Sequence, residues 1–164
     1  RIVRSNAFDR VSEYIDAAFG CHMDGKSHSA AVITLGDTPI MTISRKQKIV
    51  TRDSTEAELV ALSDLILMGE WLHEYLRESG IKLKKPVVYQ DNTSTIALVK
   101  DLSVGKMRSK HFRARRAVVH QELMIFKTME IQYINTKEMV ADLLTKPLTG
   151  DVFHRLAKKI LKSI

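Results

Sequence analysis

Four acidic residues lie beside apolar residues where strands and helices are predicted to meet. They are Asp16, Glu58, Asp91 and Asp142. An acid with apolar neighbours is a candidate for burial, and a buried charge must be paired or bound to a metal ion. Carboxylate oxygens suit Mg²⁺, and two-metal cleavage of a phosphodiester needs several carboxylates that converge. On a chain with a net charge of +7, this set predicts a metal site that faces an anionic polymer.

Each of these acids also has a simpler interpretation. Glu58 could form a capping box with Thr55, because Thr-x-x-Glu is the signature of that motif. Asp91 could be a turn residue at the end of a strand, and Asp142 could be a solvated acid on a helix. Asp16 is the hardest to explain in this way, because an acid inside an apolar strand is unusual. Two rival acids occupy less suitable positions, Glu56 on the same helix and Asp24 in a turn.

A series of short strands and amphipathic helices positions the acids. Alternating apolar residues and tight turns predict an antiparallel meander of three strands. A long helix follows, with an apolar face that includes Trp71 and Tyr75. The segment VVYQDNTSTIAL then runs from a fourth strand through Asp91 into a second helix. The predicted strands are residues 13–20, 29–35, 40–44, 87–90 and 129–134, and the predicted helices are residues 55–79, 93–100, 110–127, 137–145 and 151–164.

This order of elements predicts an α/β fold. A meander followed by crossover connections implies a mixed five-stranded sheet with helices on both faces. Right-handed crossovers place the fourth strand beside the first, which gives the strand order 3-2-1-4-5. Asp16 and Asp91 would then lie on neighbouring strands, near the carboxyl end of the sheet where open α/β folds bind ligands.

Length and composition exclude several classes of protein. The chain of 164 residues suits one domain, and its single cysteine, Cys21, excludes an intrachain disulfide and fits a reducing compartment. No apolar run approaches the roughly 18–20 residues that span a bilayer. Because the chain starts with Arg1, we expect it to be an excerpt of a longer protein or a processed product. We assign residues 1–12 to a linker, 13–148 to the main domain and 149–164 to a basic amphipathic helix.

Basic residues are concentrated in one part of the chain. Between positions 100 and 120 the sole acid is Asp101, whereas seven residues are basic: Lys100, Lys106, Arg108, Lys110, Arg113, Arg115 and Arg116. Such clustering suits contacts with a phosphate backbone, although many soluble domains carry a similar net charge without binding nucleic acid.

Several motifs in this order resemble a known family. They are YIDAAFG, KSHSAAVITLG, SRKQKIVTRDSTEAELVALSD, VVYQDNTSTIALVK, SKHFRARRAVVHQEL and MVADLLTKPL. Together they resemble the ribonuclease H domain of copia-type LTR-retrotransposon polyproteins, over about residues 13–148. The resemblance implies the ribonuclease H fold and a catalytic, metal-binding quartet. By motif the quartet corresponds to Asp16, Glu58, Asp91 and Asp142, so the resemblance favours Glu58 over Glu56.

The resemblance also implies an activity and its partners. It implies a Mg²⁺-dependent endoribonuclease that uses two ions, with Mn²⁺ able to substitute, and that cleaves the RNA strand of RNA–DNA hybrids during reverse transcription. An upstream reverse transcriptase domain and an intracellular location, in a virus-like particle or the nucleus, go with that activity. An inactive nucleic-acid-binding or connector domain of a decayed element is the alternative. The candidate contacts to nucleic acid are Asn92, Ser94, Arg45, Lys46, Lys48, Lys110, His111, Arg113, Arg115 and Arg116.

One feature departs from many ribonucleases H of this fold, which carry a mobile histidine just before the last aspartate. Here residues 135–138 are Asn-Thr-Lys-Glu, with no histidine. His111 is the nearest substitute by motif, and a place in the basic patch is an equally good explanation of it.

Overall fold

Within residues 8–104 and 109–161, which this computed structural model describes, five strands form a single sheet. The strands are β1 (Arg10–Ala18), β2 (His28–Leu35), β3 (Thr38–Lys46), β4 (Lys84–Gln90) and β5 (Glu130–Tyr133). The α-helices are α1 (Ser54–Glu78), α2 (Thr93–Lys100), α3 (Lys110–His120), α4 (Asp142–Thr145) and α5 (Gly150–Leu161). None of the helices in these residues is long and apolar enough to cross a membrane.

The sheet has the predicted strand order, β3-β2-β1-β4-β5. β1 is antiparallel to β2 and parallel to β4, and β4 is parallel to β5. Tyr14 of β1 pairs with Tyr89 of β4, and their rings stack with centroids 4.9 Å apart. Asp16 and Asp91 each follow their tyrosine by two residues, so this register brings the two acids to the same end of neighbouring strands.

Helices cover both faces of the sheet, as predicted. On one face, α1 and α3 pack on a core that contains Ile15, Leu62 and Val88. On the other face, α4 and α5 pack over the even-numbered residues of β2, such as Ala30, and Leu156 is the buried residue of α5. The C-terminal helix is therefore part of the same fold as the sheet.

Several predicted boundaries differ from the structure. β1 begins at Arg10, inside the region assigned to a linker, and residues 1–7 lie outside the described part of the chain. The predicted helix 110–127 is α3 followed by a π-helix, Gln121–Phe126, which ends at Lys127 with a left-handed φ of 55°. The predicted helix 137–145 is a 3₁₀ turn, Thr136–Glu138, and the short helix α4, because the extended backbone of Met139 separates them.

The solvent face of α1 also differs from the prediction. Trp71 and Tyr75 are 58% and 57% exposed, so they do not belong to its buried face. Their rings stack on each other, with centroids 5.8 Å apart. The face that contacts the sheet includes Glu58, Leu62 and Leu65, which lie on the opposite side of the helix from the two aromatic rings.

Candidate metal centre

Three of the four predicted acids meet at one end of the sheet. Asp16 lies on β1 and is buried, Glu58 lies near the start of α1 and is buried, and Asp91 follows β4 and is half-buried. Each offers one carboxylate oxygen, and these three oxygens lie within 4.8 Å of one another. The backbone thus brings together acids that are up to 75 positions apart in sequence, from Asp16 to Asp91.

Glu58 takes part in this group because other residues cap α1. The Asp53 side chain accepts a hydrogen bond from the backbone N–H of Glu56 at 2.8 Å. The Glu56 carboxylate accepts one from the backbone N–H of Arg52 at 2.9 Å. A capping box formed by Glu58 and Thr55 is therefore wrong. Asp53 caps α1, and Glu56, the rival acid, is half-buried and bonds to the backbone just before the helix.

Gln90 connects two parts of the site, and it was not predicted from the sequence. This last residue of β4 is fully buried. Its Nε2 donates to Glu58 Oε2 at 3.2 Å, and its Oε1 accepts from the backbone N–H of Asn92 at 2.9 Å. Gln90 therefore fixes the Glu58 carboxylate relative to the turn that carries Asp91.

The fourth acid, Asp142, begins α4 and is buried, but it lies outside the group of three. Lys146 Nζ donates to Asp142 Oδ1 at 2.6 Å and lies 3.5 Å from Asp16 Oδ1. The Thr145 hydroxyl donates to Asp16 Oδ2. Asp142 is thus linked to the group through Asp16 and Lys146. The sequence prediction missed Thr145 and Lys146, although both lie in the quoted motif ADLLTKPL.

The electrostatics of these groups favour a bound cation. Burial raises the pKa of Glu58 well above its ordinary value, and the charges of Asp16 and Asp91 raise it further. Burial also raises the pKa of Asp142 to about 6, although Lys146 partly opposes this. Burial lowers the pKa of Lys146, but Asp16 and Asp142 outweigh that effect and the net pKa is raised. Clustered carboxylate oxygens with these properties fit a hard divalent ion such as Mg²⁺.

Comparison with known sequences places the chain among transposon proteins. It is 33% identical over 149 residues to the retrovirus-related Pol polyprotein from transposon RE1 of Arabidopsis thaliana, covering 90% of this chain and 10% of that protein. It is 32% identical over 149 residues to the Pol polyprotein from transposon TNT 1-94 of Nicotiana tabacum, covering 90% of this chain and 11% of that protein. The chain therefore spans about a tenth of the length of these relatives. No protein-family model matches it.

Comparison with solved structures identifies the fold. LC11 ribonuclease H1, isolated from compost, superimposes with a TM-score of 0.58 at 16% identity, over 83% of this chain and 92% of that one. The same enzyme in complex with an RNA/DNA hybrid gives a TM-score of 0.55 at 14% identity, over 82% of this chain and 92% of that one. The chain has the ribonuclease H fold and is homologous to a segment of copia-type Pol polyproteins. The resemblance that the motifs indicated is thereby confirmed.

On this ribonuclease H fold, the predicted nucleic-acid contacts fall into distinct groups. Ser94, at the start of α2, and four basic residues have exposed side chains: Lys48, Lys110, His111 and Arg113. Asn92 instead caps α2, because its Oδ1 accepts from the backbone N–H of Thr95 at 3.0 Å.

Three other basic residues of the set are ion-paired on the protein surface. Arg45 and Arg115 both bind Asp64, which joins β3, α1 and α3. Arg115 also donates through Nε to His111 Nε2 at 3.0 Å. Lys46 Nζ lies 2.8 Å from the carboxylate of Asp24, which explains that rival acid as part of a surface ion pair.

Arg116 differs from the other basic residues because it is buried. Its guanidinium donates to three backbone carbonyl oxygens, those of Leu98 at 2.7 Å, Asp101 at 2.6 Å and Val104 at 2.7 Å. These bonds tie α3 to the last turn of α2 and to the segment that follows it. We therefore leave Arg116 out of the proposed nucleic-acid surface.

Proposed function

We propose that this chain is a metal-dependent endoribonuclease that cleaves the RNA strand of RNA–DNA hybrids. The observation that carries the proposal is the group formed by Asp16, Glu58 and Asp91, whose oxygens lie within 4.8 Å of one another at the end of two parallel strands. A buried group of like charges of this kind is costly unless a cation binds it. Similarity in fold to a ribonuclease H1 that was solved with an RNA/DNA hybrid supports the choice of substrate.

The residues of the site have separate roles in this proposal. Asp16, Glu58 and Asp91 would hold Mg²⁺, and Asp142 would complete the set as the fourth ligand. Bound divalent ions would activate a water molecule and stabilise charge on the leaving oxygen. Gln90 keeps the Glu58 carboxylate oriented towards the site. Two ions, and the replacement of Mg²⁺ by Mn²⁺, are part of the proposal.

The substrate surface would extend from the metal centre along the exposed basic residues. Lys48, Lys110, His111 and Arg113 would contact phosphates, and Ser94 would donate to the sugar-phosphate backbone near Asp91. Hybrids would be selected by the 2′-hydroxyl groups and the shape of the duplex rather than by base edges. Arg45 and Arg115 would join this surface while Asp64 holds them in place.

The homology to Pol polyproteins supports a wider setting for the activity. We propose that the chain acts with a reverse transcriptase domain upstream in the same polyprotein, within the cell, and removes RNA after it has been copied into DNA. That setting needs no membrane contact.

Cleavage of an end-labelled RNA–DNA hybrid tests the proposal. We expect cleavage with Mg²⁺ or Mn²⁺, none with EDTA, and none of duplex DNA. Asp91→Asn removes a metal ligand and should lower the rate by about 10³-fold, because a bound ion supplies several kcal/mol of stabilisation. Asp151→Asn, a change of the same type at an exposed position on α5, is the matched control and should retain the wild-type rate.

One result would favour the alternative of an inactive binding domain. In that case the wild-type chain would bind the hybrid but leave it intact with either ion, and Asp91→Asn would change nothing. The preserved set of four acids counts against this alternative, because a domain that only binds nucleic acid does not need clustered carboxylates.

A further inference from the structure

A chain of hydrogen bonds runs from the loop after β1 to the C-terminal end of α4. His22 Nε2 and His28 Nδ1 are 3.1 Å apart, and His28 Nε2 is 2.8 Å from Ser44 Oγ. Ser44 Oγ donates to the carbonyl oxygen of Leu144 at 3.0 Å. Ser44 pairs with Ala30 across β2 and β3, and Ala30 packs beneath α4 and α5. This series of hydrogen bonds therefore lies on the face of the sheet that supports α4.

The carbonyl oxygen at the end of this series of hydrogen bonds fixes the direction of the two bonds that Ser44 makes, and a neutral His28 then fixes the direction of the bond to His22. A carbonyl oxygen can only accept a hydrogen bond, so the Ser44 hydroxyl donates its hydrogen to the carbonyl oxygen of Leu144. Ser44 Oγ must then accept from the Nε2–H of His28. A neutral His28 with its proton on Nε2 has a bare Nδ1, which accepts from the Nε2–H of His22. His22 thus selects the tautomer of His28 that can hold Ser44.

α4 depends on support from outside because it is very short. It consists of four residues, Asp142–Thr145, and an isolated helix of this length does not form. The backbone N–H of Lys146 donates to the carbonyl oxygen of Asp142 at 3.0 Å, whereas the later carbonyl groups of the helix have no partner further along it. Ser44 provides a partner for one of them, that of Leu144, from a strand 100 positions away in sequence.

The residues beside Leu144 connect this support to the metal centre. Thr145 comes next and donates to Asp16. Lys146 follows, and its ammonium group lies 2.6 Å from Asp142 Oδ1. Asp142 itself lies outside the group of three acids, so the placement of α4 decides how close its carboxylate comes to them. A shift of the Leu144 carbonyl would move these contacts together.

We propose that His28 and Ser44 are positioning residues that hold α4, and with it Asp142, against the metal centre, and that His22 fixes the tautomer of His28. The consequence for catalysis rests on the proposed function, whereas the support of α4 does not. A structural zinc site is a poorer explanation of the two histidines, because such sites take four ligands and this pair already forms a hydrogen bond.

Substitutions at Ser44 test the proposal in the whole chain. Ser44→Ala removes the link, Ser44→Thr retains the hydroxyl, and Thr42→Ala removes a hydroxyl from the same strand two residues away. We expect Ser44→Ala to speed amide hydrogen exchange at Leu144 and Lys146 by about tenfold, as the loss of one hydrogen bond allows. In Ser44→Thr and Thr42→Ala the amides of Leu144 and Lys146 should exchange at the wild-type rate.

Metal affinity and kinetics provide the second readout. In Ser44→Ala we expect Mn²⁺, measured by calorimetry, to bind several-fold more weakly. We expect kcat for the hybrid to fall while KM stays unchanged, because the basic surface is intact. His28→Leu should behave like Ser44→Ala. His28→Gln should restore wild-type values, because the amide nitrogen of glutamine can take the place of Nε2–H.

The outcomes separate this inference from the proposed function. Unchanged exchange at Leu144 and Lys146 in both Ser44→Ala and His28→Leu would overturn the positioning role, whatever the enzyme activity. A wild-type chain that neither binds Mn²⁺ nor cleaves the hybrid would instead refute the proposed function, and the exchange measurement would still decide the role of Ser44.

Discussion

Glu13 is a second buried acid on β1, separate from the metal centre. Its side chain is 1% exposed, and no described residue donates a hydrogen bond of normal geometry to its carboxyl oxygens. Gly69 of α1 lies against it, and a Cβ atom at that glycine would stand 2.6 Å from Glu13 Oε2. Burial raises the pKa of Glu13 well above its ordinary value. The contact between β1 and α1 therefore favours the protonated acid.

The raised pKa of Glu13 predicts how the stability of the fold depends on pH. Because the pKa of Glu13 is higher in the folded chain than in the unfolded chain, the folded state binds more protons. The contribution of Glu13 to stability is thus full below about pH 4.5 and is lost as pH rises towards the folded pKa. At pH 7 we expect Glu13→Gln to raise the free energy of unfolding by about 1–3 kcal/mol, because neutral glutamine needs no proton uptake on folding and each unit of pKa shift is worth about 1.4 kcal/mol.

Urea unfolding of both chains at several pH values is the measurement. The gain should shrink as pH falls through about 4.5, because the carboxyl group of the unfolded wild-type chain then also becomes protonated. Glu130→Gln, at an exposed position of β5, is the control and should show no such trend. A gain of equal size at all pH values would show that the charge of Glu13 is not its cause.

The residues of the metal centre could be predicted from the sequence to different extents. Asp16 stood out as an acid inside an apolar predicted strand, and Asp91 stood out as an acid directly after one. Gln90 and Thr145 gave no such signal, since polar residues of these types are common in loops and at strand ends. Thr145 meets Asp16 across 129 positions, and no local pattern reports a contact at that distance. Lys146 likewise looked like one more basic residue on a basic chain.

Among the elements, α3 shows how one buried side chain can anchor a helix. Arg116 joins α3 to the carbonyl groups of Leu98, Asp101 and Val104. Arg113, three residues earlier, is exposed. The sequence prediction treated both as contacts for nucleic acid, because residue type alone does not distinguish an arginine that binds phosphate from one that binds backbone carbonyls.

This difference gives a prediction about stability. Arg116→Leu leaves three carbonyl oxygens without their donor, so we expect the free energy of unfolding to fall by about 3 kcal/mol. Arg113→Leu should change it by less than about 0.5 kcal/mol, because its side chain is in solvent. Arg116→Lys should restore little of the stability that Arg116→Leu loses, since an ammonium group lacks the planar fork of donors of a guanidinium group. Equal losses for Arg113→Leu and Arg116→Leu in urea unfolding would contradict this role.

Element boundaries were predicted less well than element order. The apolar spacing that predicted one helix over residues 110–127 continues through the π-helix, because a change to wider turns does not interrupt the run of apolar residues. The short helix α4 was merged with the 3₁₀ turn before it for a similar reason. Strand order was easier to predict from the sequence, since tight turns fix a meander and the handedness of crossovers fixes the place of β4.

For the whole molecule, the distribution of charge separates two tasks. The chain carries a net charge of +7, yet Asp16, Glu58 and Asp91 are gathered at one end of β1 and β4. Exposed basic residues on α3 and after β3 would attract the phosphate backbone, whereas the acids would hold the ions that act on it. In the proposed function, attraction to the polymer would therefore depend on groups that are spatially distinct from those that would cleave it.

The salt dependence of binding tests this separation. Each phosphate contact that is lost should reduce the slope of log K against log salt concentration by about 0.9. We therefore expect the double variant Lys110→Ala, Arg113→Ala to reduce the slope for an RNA–DNA hybrid by about 2. Lys82→Ala, Lys85→Ala removes the same charge from exposed positions at the opposite end of β4 and should leave the slope unchanged. Fluorescence anisotropy with EDTA present measures binding without cleavage, and equal slopes for the two double variants would mean that net charge alone attracts the hybrid.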